Sequence, residues 1–195
     1  MLDSVVAVLG TFQYASAERE RFFSGTLLRE WCGTYRDTLF DQHDEAFAGG
    51  LKLQQGKSWH EWKAAVLLHH LTGFHALVTR YQEPRASRKR RLLSELASPS
   101  LVSLLVGLDR PGRAQGPDLI MFDPADRNRW FFCETKKKGE PFTKSQCDYF
   151  PEIVRRSGRP ISVLTMQLAP SGCAEGWIHG PSTDRWISPR AERTE

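Results

Sequence analysis

Two short apolar runs separated by a turn-rich gap constrain this chain more than any other feature. The first is Asp118-Leu119-Ile120-Met121-Phe122, entered through Gly116-Pro117. The second is Trp130-Phe131-Phe132-Cys133-Glu134-Thr135-Lys136. Between them, Asp123-Pro124-Ala125-Asp126-Arg127-Asn128 is dense in turn formers. Folding the runs symmetrically about Asp126 predicts a hairpin in which Phe122 faces Trp130, Ile120 faces Phe132 and Asp118 faces Glu134. Directly opposed residues of an antiparallel pair hold their Cβ atoms about 5 Å apart. Side chains alternate along a strand, so Glu134 and Lys136 share one face while Thr135 points to the other. Two carboxylates and one ammonium are therefore expected on one patch. Opposed like charges repel unless a cation joins them, and hard oxygen ligands suit Mg²⁺ or Mn²⁺.

The chain around this hairpin has 195 residues, enough for one good core and a small accessory region. A hydrophobic content of 40% with 11% aromatics indicates a globular protein rather than a disordered one. A formal charge of +4 permits a polyanionic partner without requiring one. No stretch approaches the roughly 20 apolar residues that span a bilayer, so no membrane partner is expected. The run from Met1 to Leu9 is apolar but lacks a preceding basic residue, which predicts a packed first helix rather than a signal peptide. Cys32, Cys133, Cys147 and Cys173 are scattered and form no CxxC pair, so neither a zinc site nor a disulfide framework is expected. A reducing, cytoplasmic compartment is the natural reading. Cys133, inside a strand, reads as a small buried hydrophobe.

Residues 1–56 read as an N-terminal helical extension, with helical spacing from Ala15 to Cys32 and a break at Gly49-Gly50. Residues 57–170 read as the core and 171–195 as a tail, pinned by Trp177 and Trp186. Within the core, Ser58 to Leu71 predicts a helix with Trp59, Trp62 and Val66 on its apolar stripe and Gly73 at its end. Ser58 and Glu61 have capping-box spacing. The adjacent His69 and His70 face different directions on such a helix, which argues against a paired metal site. His75 to Tyr81 predicts a strand, stopped by Pro84. An insertion at 84–112 opens with Arg85, Arg88, Lys89, Arg90 and Arg91, the densest positive charge in the chain. Helices are expected near Leu92–Leu96 and Leu101–Val106, followed by a Gly/Pro-rich loop. After the hairpin come a basic loop (Lys136 to Pro141), a helix from Thr143 to Arg156 ended by Gly158, and a strand from Pro160 to Met166.

The resulting order is helix with an acid, strand, Pro-Asp strand, Glu-x-Lys strand, helix with an early Gln, and strand. It resembles the PD-(D/E)XK, or restriction-endonuclease-like, nuclease superfamily, and within it the VRR-NUC group. The resemblance rests on Gly116-Pro117-Asp118-Leu119-Ile120, on Glu134-Thr135-Lys136, and on Ser145-Gln146 with the helix and strand that follow. It covers about residues 58–168. Glu-x-Lys alone occurs by chance everywhere; its spacing from the Pro-Asp strand makes the pattern specific. The chain departs from many relatives in placing Lys137 and Lys138 before Gly139, and in its 84–112 insertion.

The resemblance implies an α/β fold: a small mixed sheet flanked by helices, with an N-terminal helical extension. It implies a metal-dependent DNA endonuclease that hydrolyses phosphodiester bonds, selective for branched, flapped or junction DNA. Asp118 and Glu134 would be carboxylate ligands of Mg²⁺ or Mn²⁺, the Thr135 carbonyl a third ligand, and Lys136 the group beside the attacking water. Glu61 would be the acid of the first core helix, with capping-box residue as its rival reading. Gln146 would bond a site water or the lysine, with an ordinary first-turn residue as its rival. Arg85, Arg88, Lys89, Arg90 and Arg91 would form a phosphate-contacting arm, extended by Lys137, Lys138, Lys144, Arg155 and Arg156; a solvated helix face is the alternative. Two other functions stay open: a non-cleaving nucleic-acid-binding subunit, and a toxin or effector nuclease with a regulatory or immunity protein as partner. A homodimer would supply two sites for the two strands of a duplex.

Overall fold

The computed structural model describes residues 5–42, 44, 58–78, 81, 87–108 and 116–180. In chain order the elements are β1 (Val6–Tyr14), α1 (Ser16–Phe23), α2 (Thr26–Thr34), α3 (Trp59–Thr72), β2 (His75–Val78), α4 (Ser87–Leu96) and α5 (Pro99–Leu108). Then follow β3 (Leu119–Phe122), β4 (Trp130–Lys137), α6 (Lys144–Ser157), β5 (Ile161–Leu168) and β6 (Gly176–His179). The strands form one mixed six-stranded sheet in the order β2-β3-β4-β5-β1-β6, with helices packed on it. The fold is α/β, as expected.

The hairpin has the register set by its symmetry: Phe122 pairs with Trp130, Met121 with Phe131, Ile120 with Phe132 and Leu119 with Cys133. Its turn is closed locally. The Asp123 carboxylate accepts from the Ala125 amide at 2.9 Å, and that of Asp126 from the Asn128 amide at 2.9 Å. These side-chain bonds mimic backbone turns and hold the register without tertiary help.

Residues 5–9 are not helical. Val6–Tyr14 is a strand between β5 and β6, parallel to β5 and antiparallel to β6. Valines at 5, 6 and 8 favour extended backbone. From Gly10 onward burial alternates, with Gly10, Phe12 and Tyr14 inward. A bulge between Val8 and Gly10 interrupts that alternation, which hides the period of two in the sequence. Residues 5–42 therefore supply an interior strand of the sheet together with α1 and α2, where the sequence predicts one helical stretch from Ala15 to Cys32.

Each face of the sheet carries its own apolar cluster. One includes Phe12, Tyr14, Phe131 and Cys133 from the sheet, with Phe22, Trp31, Trp59 and Trp62 from α1, α2 and α3. The other includes Ile120, Phe132 and Ile161, with Leu93, Leu105, Phe150 and Ile153 from α4, α5 and α6. The segment read as an insertion thus covers one face of the sheet. Its leucines are core, because without them Ile120 and Phe132 would meet water.

Three buried or half-buried contacts tie distant segments together. Lys63 of α3 pairs with Glu18 of α1 at 2.7 Å and with Glu175, just ahead of β6, at 2.5 Å. Trp177 sets its ring edge-on to Phe12, with centroids 5.2 Å apart, and so anchors β6 on β1. Gly73 and Gly158 end α3 and α6 in left-handed conformation, which glycine adopts at least cost. Trp186, Gly49-Gly50 and Arg85 lie outside the described residues.

Candidate active site

Alternation along β4 places Glu134 and Lys136 on the face covered by α4, α5 and α6, and both are buried, at 2% and 6% exposure. Burying two charges requires that they be paired and hydrogen-bonded. The Lys136 ammonium lies 3.2 Å from Glu134 Oε1 and donates to Gln146 Oε1 at 2.7 Å. The Gln146 amide nitrogen donates in turn to Glu134 Oε1. Phe142 puts its ring 5.2 Å from the ammonium.

Gln146 reaches these groups because of how α6 begins. Thr143 is the N-cap, and its hydroxyl accepts from the Gln146 amide at 3.2 Å. The Gln146 side chain returns the bond, accepting from the Thr143 amide at 3.1 Å. This reciprocal capping box holds the first turn of α6. One oxygen of Gln146 thus serves both the cap and Lys136. Gln146 is therefore a first-turn residue that also bonds Lys136.

Asp118 stands one residue before β3. Its Oδ2 accepts from the Thr135 amide at 2.8 Å and the Thr135 hydroxyl at 2.6 Å. The strand pairing ends at Leu119–Cys133, so Asp118 turns onto residue 135 instead of standing directly across from Glu134. The two acids still sense each other. Glu134 is pushed up to about 8, first by burial and then by the charge of Asp118, with Lys136 and Gln146 opposing. Asp118 is raised by burial, against its bonds to Thr135 and the charge of Lys136.

Glu134 Oε2 is buried with no hydrogen-bond partner. A buried carboxylate oxygen without a partner is costly. It is the observation that tests whether a divalent cation fits here. A hard cation takes oxygen ligands, and Mg²⁺ binds through one or two carboxylates while keeping several waters. The free Glu134 oxygen, the Asp118 carboxylate and the Thr135 carbonyl are donors of that kind, so the residues fit.

Glu61 does not complete a third acid. Among the described residues, no three His, Cys, Asp or Glu side chains gather as a metal-binding group. Glu61 sits in the first turn of α3, whose buried side chains pack on the opposite face of the sheet. That turn does reach the same end of the sheet: its neighbour His60 is held down to about 4, by burial first and then by Lys137. Ser58 makes no side-chain cap bond, so the capping box expected with Glu61 is not formed either. The acid at a helix N-terminus is still favoured by the helix dipole.

The expected basic arm is largely structural. Lys89 has no exposed surface; its ammonium donates to the Asp44 carboxylate and, at 2.6 Å, to the Val78 carbonyl. It cannot contact a phosphate. Arg88 is half-buried and donates to the Asp37 carbonyl. Arg91 is exposed and 3.7 Å from Glu95, and Arg90 is half-buried. Lys137, Lys138 and Lys144 are exposed near the site, whereas Arg155 and Arg156 are both tied to Glu152. His69 and His70 turn to separate partners, the Phe74 carbonyl and the Tyr35 hydroxyl, as their adjacency predicts.

Tyr81, expected from the sequence only as a strand end, contacts the Gly-Pro-Asp turn. Its ring is buried and its hydroxyl donates to the Pro117 carbonyl at 2.8 Å. No local signal marks it, because its partner lies 36 residues away.

No protein-family model matches the chain, and no curated protein matches it. Among solved structures, the crystal structure of paFAN1 bound to 2nt 5'flap DNA with gap is similar at 21% identity and a TM-score of 0.27. That likeness covers 62% of this chain and 24% of the other. The site's own geometry remains the basis for its function.

Proposed function

We propose that the chain is a metal-dependent DNA endonuclease of the VRR-NUC kind, with Asp118, Glu134 and Lys136 at its centre. The observation that carries this is the buried Glu134 with one oxygen bound to Lys136 and Gln146 and the other without a partner. A purely binding module has no need to bury an acid in that state.

A divalent ion bound there supplies Lewis acidity to the phosphate and lowers the pKa of a bound water. The chain's residues do the rest. Thr135 fixes Asp118 through two hydrogen bonds, and Gln146 fixes Glu134 and Lys136 together. Lys136, held beside Glu134 and Gln146, orients the water and stabilises charge developing on the phosphate oxygens. Lys137, Lys138 and Lys144 contact flanking phosphates. Preference for branched, flapped or junction DNA belongs to the same proposal.

The test incubates the purified protein with plasmid, single-stranded DNA, forks, flaps and junctions, with Mg²⁺, Mn²⁺ or EDTA. Cleavage that needs the cation and disappears in both Asp118→Ala and Lys136→Ala is the expected result. Cleavage that persists in either variant refutes the site. Binding without cleavage under every metal condition would favour a nucleic-acid-binding subunit.

A further inference from the structure

The Asp118 carboxylate is held by Thr135, and the peptide ahead of it is also held. The Pro117 carbonyl and the Asp118 amide belong to one rigid plane. Tyr81 donates its hydroxyl to that carbonyl at 2.8 Å, which fixes the plane from which the Asp118 side chain springs. A methyl on Gly116 would lie 2.9 Å from the Tyr81 hydroxyl oxygen and 3.1 Å from a Leu105 methyl, so the turn is pressed against both. Tyr81 is 1% exposed, in the same cluster as Leu93 of α4 and Leu105 of α5. Rigid support of this kind decides whether a ligating carboxylate stands in place or swings.

We infer that Tyr81 is a positioning residue for Asp118, and that the two helices of the 84–112 segment buttress the Gly-Pro-Asp turn through it and Leu105. The inference rests on the nuclease reading of the site. Tyr81 acts through the backbone of Pro117 and touches no reacting atom.

The experiment compares wild type, Asp118→Ala, Tyr81→Phe, Gly116→Ala and the double variant Tyr81→Phe/Gly116→Ala. It measures Mn²⁺ binding without DNA by electron paramagnetic resonance, then cleavage kinetics and thermal unfolding. Tyr81→Phe keeps the ring and removes one hydrogen bond, so its melting temperature should stay within about 5 °C of wild type. Its Mn²⁺ binding should weaken about ten-fold and kcat fall by about ten-fold, while KM for DNA stays within about two-fold. Gly116→Ala should lose stability, and adding Tyr81→Phe should restore part of it without restoring Mn²⁺ binding. Wild-type cleavage with Tyr81→Phe unchanged in kcat and Mn²⁺ binding would overturn this inference alone. A wild type that neither binds Mn²⁺ nor cleaves would overturn the nuclease reading and the inference with it.

Discussion

Lys89 offers the sharpest division between a DNA-contacting arm and a folded core. Its ammonium is fully buried against the Asp44 carboxylate and the Val78 carbonyl. Lys89→Met keeps the aliphatic stem and deletes the charge. It leaves Asp44, 3% exposed, as a buried acid without its cation. Breaking one side of a buried pair costs about 3–5 kcal/mol. For a chain of this length that lowers the melting temperature by roughly 6–20 °C. The cost should depend on pH. In the wild type Asp44 is already pushed up to about 6 by burial, with Lys89 pulling it down. A folded-state pKa above the unfolded value means that this group's stability is greatest in acid and is lost as pH rises through about 6. Without Lys89 the acid rises further, so the deficit of Lys89→Met should be larger at pH 8 than at pH 5. Urea unfolding followed by tryptophan fluorescence at both pH values measures it. DNA affinity against salt is measured on the same samples. A stable Lys89→Met whose salt slope drops by about one would refute the burial argument and restore the arm.

Other outcomes follow from the same contacts. Thr143→Ala removes only the cap and should cost about 1 kcal/mol while cleavage stays within about three-fold. Gln146→Ala removes the cap and both site bonds, and should reduce kcat by at least about ten-fold, so paired kinetics and melts separate the two roles. Lys138→Ala, an exposed side chain, should reduce the salt slope of DNA binding by about one and leave the melting temperature unchanged. Cys147 and Cys173 are exposed while Cys32 and Cys133 are buried. Thiol titration should therefore find two reactive cysteines in the native protein and four after denaturation.

How much of the site was legible follows from how local each determinant is. Glu134 and Lys136 lie on β4, joined to β3 by a short turn whose bonds close within a few residues, so their alternation and the register follow from the chain itself, whereas the turn of Asp118 onto Thr135, one residue ahead of β3, does not. Gln146 was marked only by the resemblance; the capping box that it forms with Thr143, which aims the glutamine, is a finding of the structure. Tyr81, whose role depends on a carbonyl 36 residues on, carries no such mark.

The sequence by itself determined the hairpin, its register and the start and stop of α6, because each depends on contacts within a turn or one strand pair. Only the tertiary structure decided that Val6–Tyr14 is a strand, that the leucines following the basic run are core and that Lys89 is sealed against Asp44. β1 finds its place by pairing with β5, some 155 residues away, and Lys89 finds its partner 45 residues back. Charge and apolar count are properties of a residue, whereas burial is a property of whatever the folded chain brings against it.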